Sequence, residues 1–162
     1  MNLINNRTEC TSEKMIQYSI YCTVHSVFTV FLFVLFAFLV VLSVDSYLVY
    51  KDIKHLILIF VYIGLIFSYI PLLKIRFNSV FNKKSQELAA VFGYSFKEDG
   101  FDVIEINGTK VVKYSEVLKM IVDKNLLYIY MNKKSAFIVD TKQFINGNVS
   151  DVIKLYEKGK SK

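Results

Sequence analysis

Residues 27–44 read VFTVFLFVLFAFLVVLSV, and residues 56–73 read LILIFVYIGLIFSYIPLL. Each is 18 residues long and holds no Asp, Glu, Lys or Arg. At 1.5 Å per helical residue each spans about 27 Å, close to the ~30 Å of a bilayer's hydrocarbon core. A helix on the surface of a globular domain keeps one polar face, and these keep none. The pair therefore predicts a transmembrane hairpin. With no ionisable group inside either span, an ion path, proton relay or transport site is not expected. Gly64 and Ser68 have the small-xxx-small spacing of a helix–helix seam. Pro71 is expected to kink the second span as it leaves the bilayer.

Upstream, residues 1–11 (MNLINNRTECT) are polar and read as a cap or short tail. The apolar run begins too late, and is too long, for a secretory signal, so the first span is expected to be retained. Ser12 has the chemistry of an N-cap, with Glu13 in the first turn against the positive end of the helix dipole. Met15, Tyr18 and Cys22, with Ile16 and Ile20 beside them, then outline a short amphipathic helix at the membrane interface. Cys10 and Cys22 match no metal-ligand or CxxC spacing and read as free thiols. His25, alone at the end of this segment, reads as an interfacial residue.

Residues 1–73 balance Arg7, Lys14, Lys51 and Lys54 against Glu9, Glu13, Asp45 and Asp52. The whole formal charge of +6 therefore arises after residue 73. Cations flank the second span at Lys74, Arg76, Lys83 and Lys84, and the first at Arg7 and Lys14. By the positive-inside rule both termini are expected in the cytoplasm, with residues 45–55 as a small exposed loop. The predicted localisation is the cell membrane, with two spans.

After a basic linker over 74–85, the hydrophobic period changes from helical to alternating, and a β domain is predicted from Gln86 to the last residue. Strands are expected over 88–96, 101–106, 109–114, 118–123, 126–131 and 135–140. They are punctuated by Glu98-Asp99-Gly100, by Asn107-Gly108, the strongest hairpin signal in the chain, by a bend at Ser115-Glu116, and by Lys124-Asn125. Ser150 is expected to cap a final helix through about 158, with Val152, Leu155 and Tyr156 as its apolar stripe. The predicted fold class is membrane α plus β: a two-helix hairpin, residues 27–73, after an N-terminal segment of residues 1–26, then a small antiparallel β-barrel or sandwich with a C-terminal helix.

The order of TSEKMIQYSIYCTVHS, a two-span hairpin, SFKEDGFDVIEINGTKVVKYSEVLKMIVDKNLLYIYMNKKSAFIVDTKQF and a last helix resembles the YcxB-like bacterial membrane proteins. The resemblance implies a C-terminal domain similar to a small pleckstrin-homology-like barrel. Tyr114 stands where the family commonly has Trp, and Val139-Asp140-Thr141-Lys142 replaces an apolar–Pro–Lys step. The family is largely uncharacterised, and the resemblance carries over no catalytic residue. Abundant Phe, Ile, Lys and Asn also fit an AT-rich bacterial genome.

Both histidines flank the spans, so a Ser/His/Asp or Cys/His site is not expected in the β domain. No Gly-rich phosphate loop is present. Glu98, Asp99 and Asp102 form an acidic turn without calcium-loop spacing, read as a solvated turn. No catalytic, cofactor-binding or metal-binding residue is predicted, and no enzyme activity. Lys110, Lys113, Lys133 and Lys134, with Lys74, Arg76, Lys83 and Lys84, are the candidate contacts for anionic lipid headgroups or a partner. The sequence reading is thus a membrane-anchored, non-catalytic binding or regulatory module. Its partners are the bilayer and a protein, with self-association left open and no nucleic acid. The alternative is a small membrane immunity or stress-protection protein acting through its spans and loop.

Overall fold

The computed structural model describes residues 3–82, 90–106, 108–133 and 135–161. Gln86, the first residues of the strand predicted over 88–96, Asn107, and the candidate contacts Lys83, Lys84 and Lys134 lie outside the described residues. The chain divides into two compact units: Met15–Lys83, and a second built from both Met1–Lys14 and Lys84–Lys162.

The first unit is helical. Helix α1 covers Ser12–Val24, α2 Val27–Tyr50 and α3 Ile53–Asn82. Ser26 caps α2, its Oγ accepting from the Thr29 N–H at 3.2 Å. At the other end Lys51 takes a left-handed conformation, φ 55°, and its N–H donates to the Tyr47 carbonyl. Helix α3 then starts at Ile53, so the loop predicted over 45–55 shrinks to Lys51-Asp52. The sequence reading ended the span where Asp45 ends the apolar run, but a charge at a helix end does not stop the backbone ladder.

Pro71 lies inside α3, which continues through the predicted basic linker to Asn82. The two long helices meet along Phe33, Phe36, Tyr62 and Tyr69, with Phe33 edge-on to Tyr69. Thr29 Oγ1 lies 3.2 Å from Tyr69 OH. Gly64 is not part of this seam. A Cβ added there would meet nothing within 4 Å, which corrects the small-xxx-small expectation. Both α2 and α3 are long and apolar enough to cross a membrane, with mean hydropathy of 3.0 and 2.5 over their most apolar stretches.

The second unit holds two antiparallel sheets. One has the order β1-β2-β3-β4, made of Ile4–Cys10, Ala90–Phe96, Gly100–Glu105 and Gly108–Lys113. The other has the order β5-β6-β7, made of Lys119–Asp123, Leu126–Tyr130 and Ala136–Asp140. A 3-10 turn, Tyr114–Glu116, joins them, and helix α4, Val149–Lys160, closes the described chain. Asn148, not Ser150, caps α4, accepting from the Ser150 and Asp151 N–H groups.

Strand β1 corrects the reading of residues 1–11 as a cap or tail, and with it the placing of the whole β domain after residue 86. Its seven residues pair with β2 from Ile4↔Phe96 to Cys10↔Ala90. Ile4, Asn6 and Thr8 are buried, while Arg7 and Glu9 face out, the period of a half-buried strand.

The barrel does not close. The sheets are joined beside β1, where Arg7 N donates to the Gln143 carbonyl at 3.2 Å and Ile145 N to the Asn5 carbonyl at 2.8 Å. Strands β4 and β5 belong to different sheets. Between the sheets lies one core of Tyr94, Phe96, Phe101, Val103, Tyr114, Leu127, Ile129 and Val139, with Val152 of α4 packed into it. Gly100 must lack a side chain, because a Cβ there would run into the Val112 carbonyl of the neighbouring strand.

The β3–β4 turn also sits one residue earlier than expected. Glu105 pairs with Gly108, so Ile106 lies beyond the end of β3, and Gly108 opens β4 at φ 145°. By contrast Lys124-Asn125 falls as predicted, between the paired Asp123 and Leu126.

Because β1 supplies one whole edge of the larger sheet, deleting residues 4–10 is expected to abolish slow hydrogen exchange at the β2 and β3 amides. The α2 and α3 amides should stay protected. Unchanged protection in β2 would contradict the assigned pairing.

Candidate functional site

Two features of the β unit carry side-chain chemistry. The first is a polar clasp between β1 and the end of β7. Asn6 Nδ2 donates to the Asp140 carbonyl at 2.8 Å, and Thr8 Oγ1 donates to Asn6 Oδ1 at 2.6 Å. Asp140 N in turn donates to Thr8 Oγ1 at 2.8 Å. Asn6 and Thr8 are fully buried, and each polar group finds a partner, as burial demands.

At the rim of the clasp, Lys14 Nζ lies 2.8 Å from Asp140 Oδ2, the two side chains only 16% and 12% exposed. The same ammonium donates to the Glu9 carbonyl at 2.8 Å. Lys142 N donates to the second carboxylate oxygen at 2.9 Å. Burial alone would raise the Asp140 pKa. The hydrogen bonds from Lys14 and from the Lys142 backbone, and the charges of both lysines, outweigh it and hold the carboxyl below its ordinary 3.8.

The second feature is a pocket of about 600 Å³ at the β2–β3 turn. Leu3, Phe96, Phe101, Val111, Val112 and Leu155 give it an apolar lining, and Lys97, Glu98, Asp99, Asp102 and Lys113 stand around it. The acidic turn noted in the sequence is committed to lysines: Asp102 pairs with Lys97, and Glu98 lies 3.6 Å from Lys158. Tyr114 closes the pocket's side of the core, its hydroxyl donating to the Lys97 carbonyl at 3.1 Å. Burial pushes the Tyr114 hydroxyl pKa up, so it remains a neutral donor. The arrangement is an apolar recess with an ionic rim, suited to holding an apolar group.

The described candidate cations fall on different elements. Lys74 and Arg76 are exposed on α3, in the helical unit. Lys110 and Lys113 stand on opposite faces of β4, since strand residues three apart point to opposite sides. The Lys110 ammonium lies 5.9 Å from the Phe137 ring centroid, beside the turn that carries Lys133. Lys113, paired with Gly100, lies at the far end of the strand, next to the pocket. Of the described candidates in the β unit, the fold thus brings Lys110 and Lys133 to one end and leaves Lys113 at the other.

Sequence reasoning missed Asn6 and Thr8 altogether. The signal was present in the alternation of INNRTEC, but the buried members are polar, so it does not register as a hydrophobic pattern.

The fold is therefore that of a small two-sheet β domain with a C-terminal helix, into which two long apolar helices are inserted between β1 and β2. Residues 96–155 match the family model described as YcxB-like protein. The match starts at the end of β2 and reaches the middle of α4, so the resemblance holds for the β domain after its first two strands. No curated protein and no solved structure matches the chain. The two positions that depart from the family's usual wording both have visible work here: Tyr114 is a core ring, and Asp140 is the clasp carboxylate.

Asp140→Asn is expected to lower stability at neutral pH by about 1–3 kcal/mol, since it leaves the Lys14 ammonium half-buried without a charged partner. A carboxyl with a depressed folded pKa stabilises above its ordinary value, and that contribution is lost as pH falls through the folded value. Urea titrations should therefore show a steeper acid loss below 3.8 in the parent chain than in the variant. Parallel acid limbs would contradict the assignment.

Proposed function

We propose that the chain is a membrane-anchored, non-catalytic binding module, in which α2 and α3 cross the bilayer and the β domain engages a protein partner. The observation that carries this reading is the pairing of β1 with β2. Strand β1 precedes the two apolar helices and β2 follows them, yet seven residue pairs hold them in one sheet. Both flanks of the hairpin must then share a compartment, which is what two crossings produce.

The membrane part draws further support from exposure. Only 11% and 6% of the most apolar stretches of α2 and α3 are buried, whereas a core helix of a soluble domain would be mostly covered. The first long helix is also preceded by a strand built into the β domain, unlike a signal sequence. Lys74 and Arg76 after the second span favour the cytoplasmic side for the domain. For the domain itself, sheets of four and three strands with a helix packed into their shared core favour a pleckstrin-homology-like arrangement. The pocket at the β2–β3 turn is the natural place for an apolar side chain of the partner. The immunity or stress-protection reading gains no such support, because the loop it relies on is reduced to Lys51-Asp52.

With Cys10 and Cys22 replaced by Ser, a cysteine introduced by Lys54→Cys should react with an impermeant maleimide on intact cells, and one introduced by Lys158→Cys only after lysis. The reverse pattern would overturn the cytoplasmic placement, and labelling of both on intact cells would overturn the membrane reading. For the binding role, a photo-crosslinker at Lys113 should give a discrete protein adduct that is lost on Leu155→Glu. Adducts formed only from positions in α2 and α3 would contradict the module.

A further inference from the structure

The β3–β4 connection carries an apolar residue where water-facing hairpins carry Gly, Asn, Asp or Ser. Ile106 occupies the loop, and its side chain is 89% exposed, more than any other large apolar side chain described in the β unit. Ile104 and Val111 stand behind it on the outward face of the sheet, 48% and 68% exposed. Next to Ile104 on β2 is Gly93, where a Cβ would come within 3.2 Å of the Ile104 Cβ. The Ile104 side chain therefore lies over Gly93, which offers no side chain of its own to cover it.

Charge at this end is mixed but positive. Lys110 follows the loop on β4, and Lys133 lies in the turn beside the Phe137 ring that Lys110 overhangs. Glu105, paired with Gly108, is the carboxylate at the tip. Two ammonium groups thus stand against the Glu105 carboxylate.

We propose that the β3–β4 hairpin tip dips into an anionic bilayer surface. Ile106 enters the boundary between headgroups and acyl chains, while Lys110 and Lys133 meet lipid phosphates. The proposal deepens the membrane reading of α2 and α3 and rests on it. A bilayer fits better than an added protein strand. Lysines at Lys110 and Lys113 blunt the β4 edge against strand pairing. A strand laid along that edge would also leave Ile106, beyond the end of the ladder, uncovered.

The chain has no tryptophan, so a single introduced one reports its own surroundings. The full chain would be reconstituted in vesicles of phosphatidylcholine with or without phosphatidylglycerol, carrying acyl-brominated lipid as quencher. Three variants are compared: Leu35→Trp in α2, Ile106→Trp at the tip, and Val122→Trp on the exposed part of β5. The proposal expects blue-shifted, quenched emission from Leu35→Trp and Ile106→Trp, and water-like, unquenched emission from Val122→Trp.

Quenching of Ile106→Trp should strengthen with phosphatidylglycerol. Adding Lys110→Gln and Lys133→Gln should remove that dependence, and Lys113→Gln should not. A quenched Leu35→Trp with a water-like Ile106→Trp would overturn this proposal and leave the hairpin standing, whereas unquenched emission from Leu35→Trp would overturn the membrane reading itself. A blue shift of Ile106→Trp without bromine quenching would assign the tip to a protein surface. Equal quenching at Ile106→Trp and Val122→Trp would reject any specific role for the tip.

Discussion

The architecture depends on one ladder of hydrogen bonds formed between segments eighty residues apart. Strand β1 has no partner of its own in the first part of the chain, and a lone strand is not stable in water. It becomes one only when β2 presents an edge, with Ile4 set against Phe96 and Cys10 against Ala90. The polar clasp then fixes the other side of β1. Asn6 and Thr8 satisfy one another and the Asp140 backbone, so the strand enters the core carrying buried polar groups at little cost. Everything between β1 and β2, including both apolar helices, is an insertion into this sheet.

Such an insertion constrains order as well as topology. Closing a loop of this length carries a modest entropic cost, growing only with the logarithm of its length. Pairing the segments that flank the two long helices is therefore thermodynamically undemanding once α2 and α3 hold each other through Phe33, Phe36, Tyr62 and Tyr69. The sheet cannot be completed before the second long helix has been made.

The fold was legible in the sequence wherever apolar residues set the period. The two long apolar helices, the six strands after residue 86 and the final helix follow from uncharged runs, from alternation and from turn residues such as Lys124-Asn125. What escaped was decided by polar atoms and by register. The buried face of β1 reads Ile4, Asn6, Thr8, Cys10, and its two middle members look like surface residues until the Asp140 backbone is placed beside them. The Asn107-Gly108 signal located the hairpin but not its register, because the pairing of Glu105 with Gly108 is set by which side chains of β3 face the core. The lysines of β4 depend on strand geometry in the same way. Lys110 and Lys113 are close in sequence, but on a strand that spacing sends them to opposite faces.

The central claim is that residues before and after the hairpin form one sheet, and a cross-strand disulfide tests it most directly. Asn5 and Ser95 are directly paired, with Cα atoms of such pairs about 4.5–5.5 Å apart and within disulfide reach. In a chain with Cys10 and Cys22 replaced by Ser, Asn5→Cys combined with Ser95→Cys should oxidise rapidly to a single intramolecular disulfide in the full-length protein. Asn5→Cys combined with Val122→Cys should not. Failure of the first pair to close, or equal closure of both, would contradict the sheet.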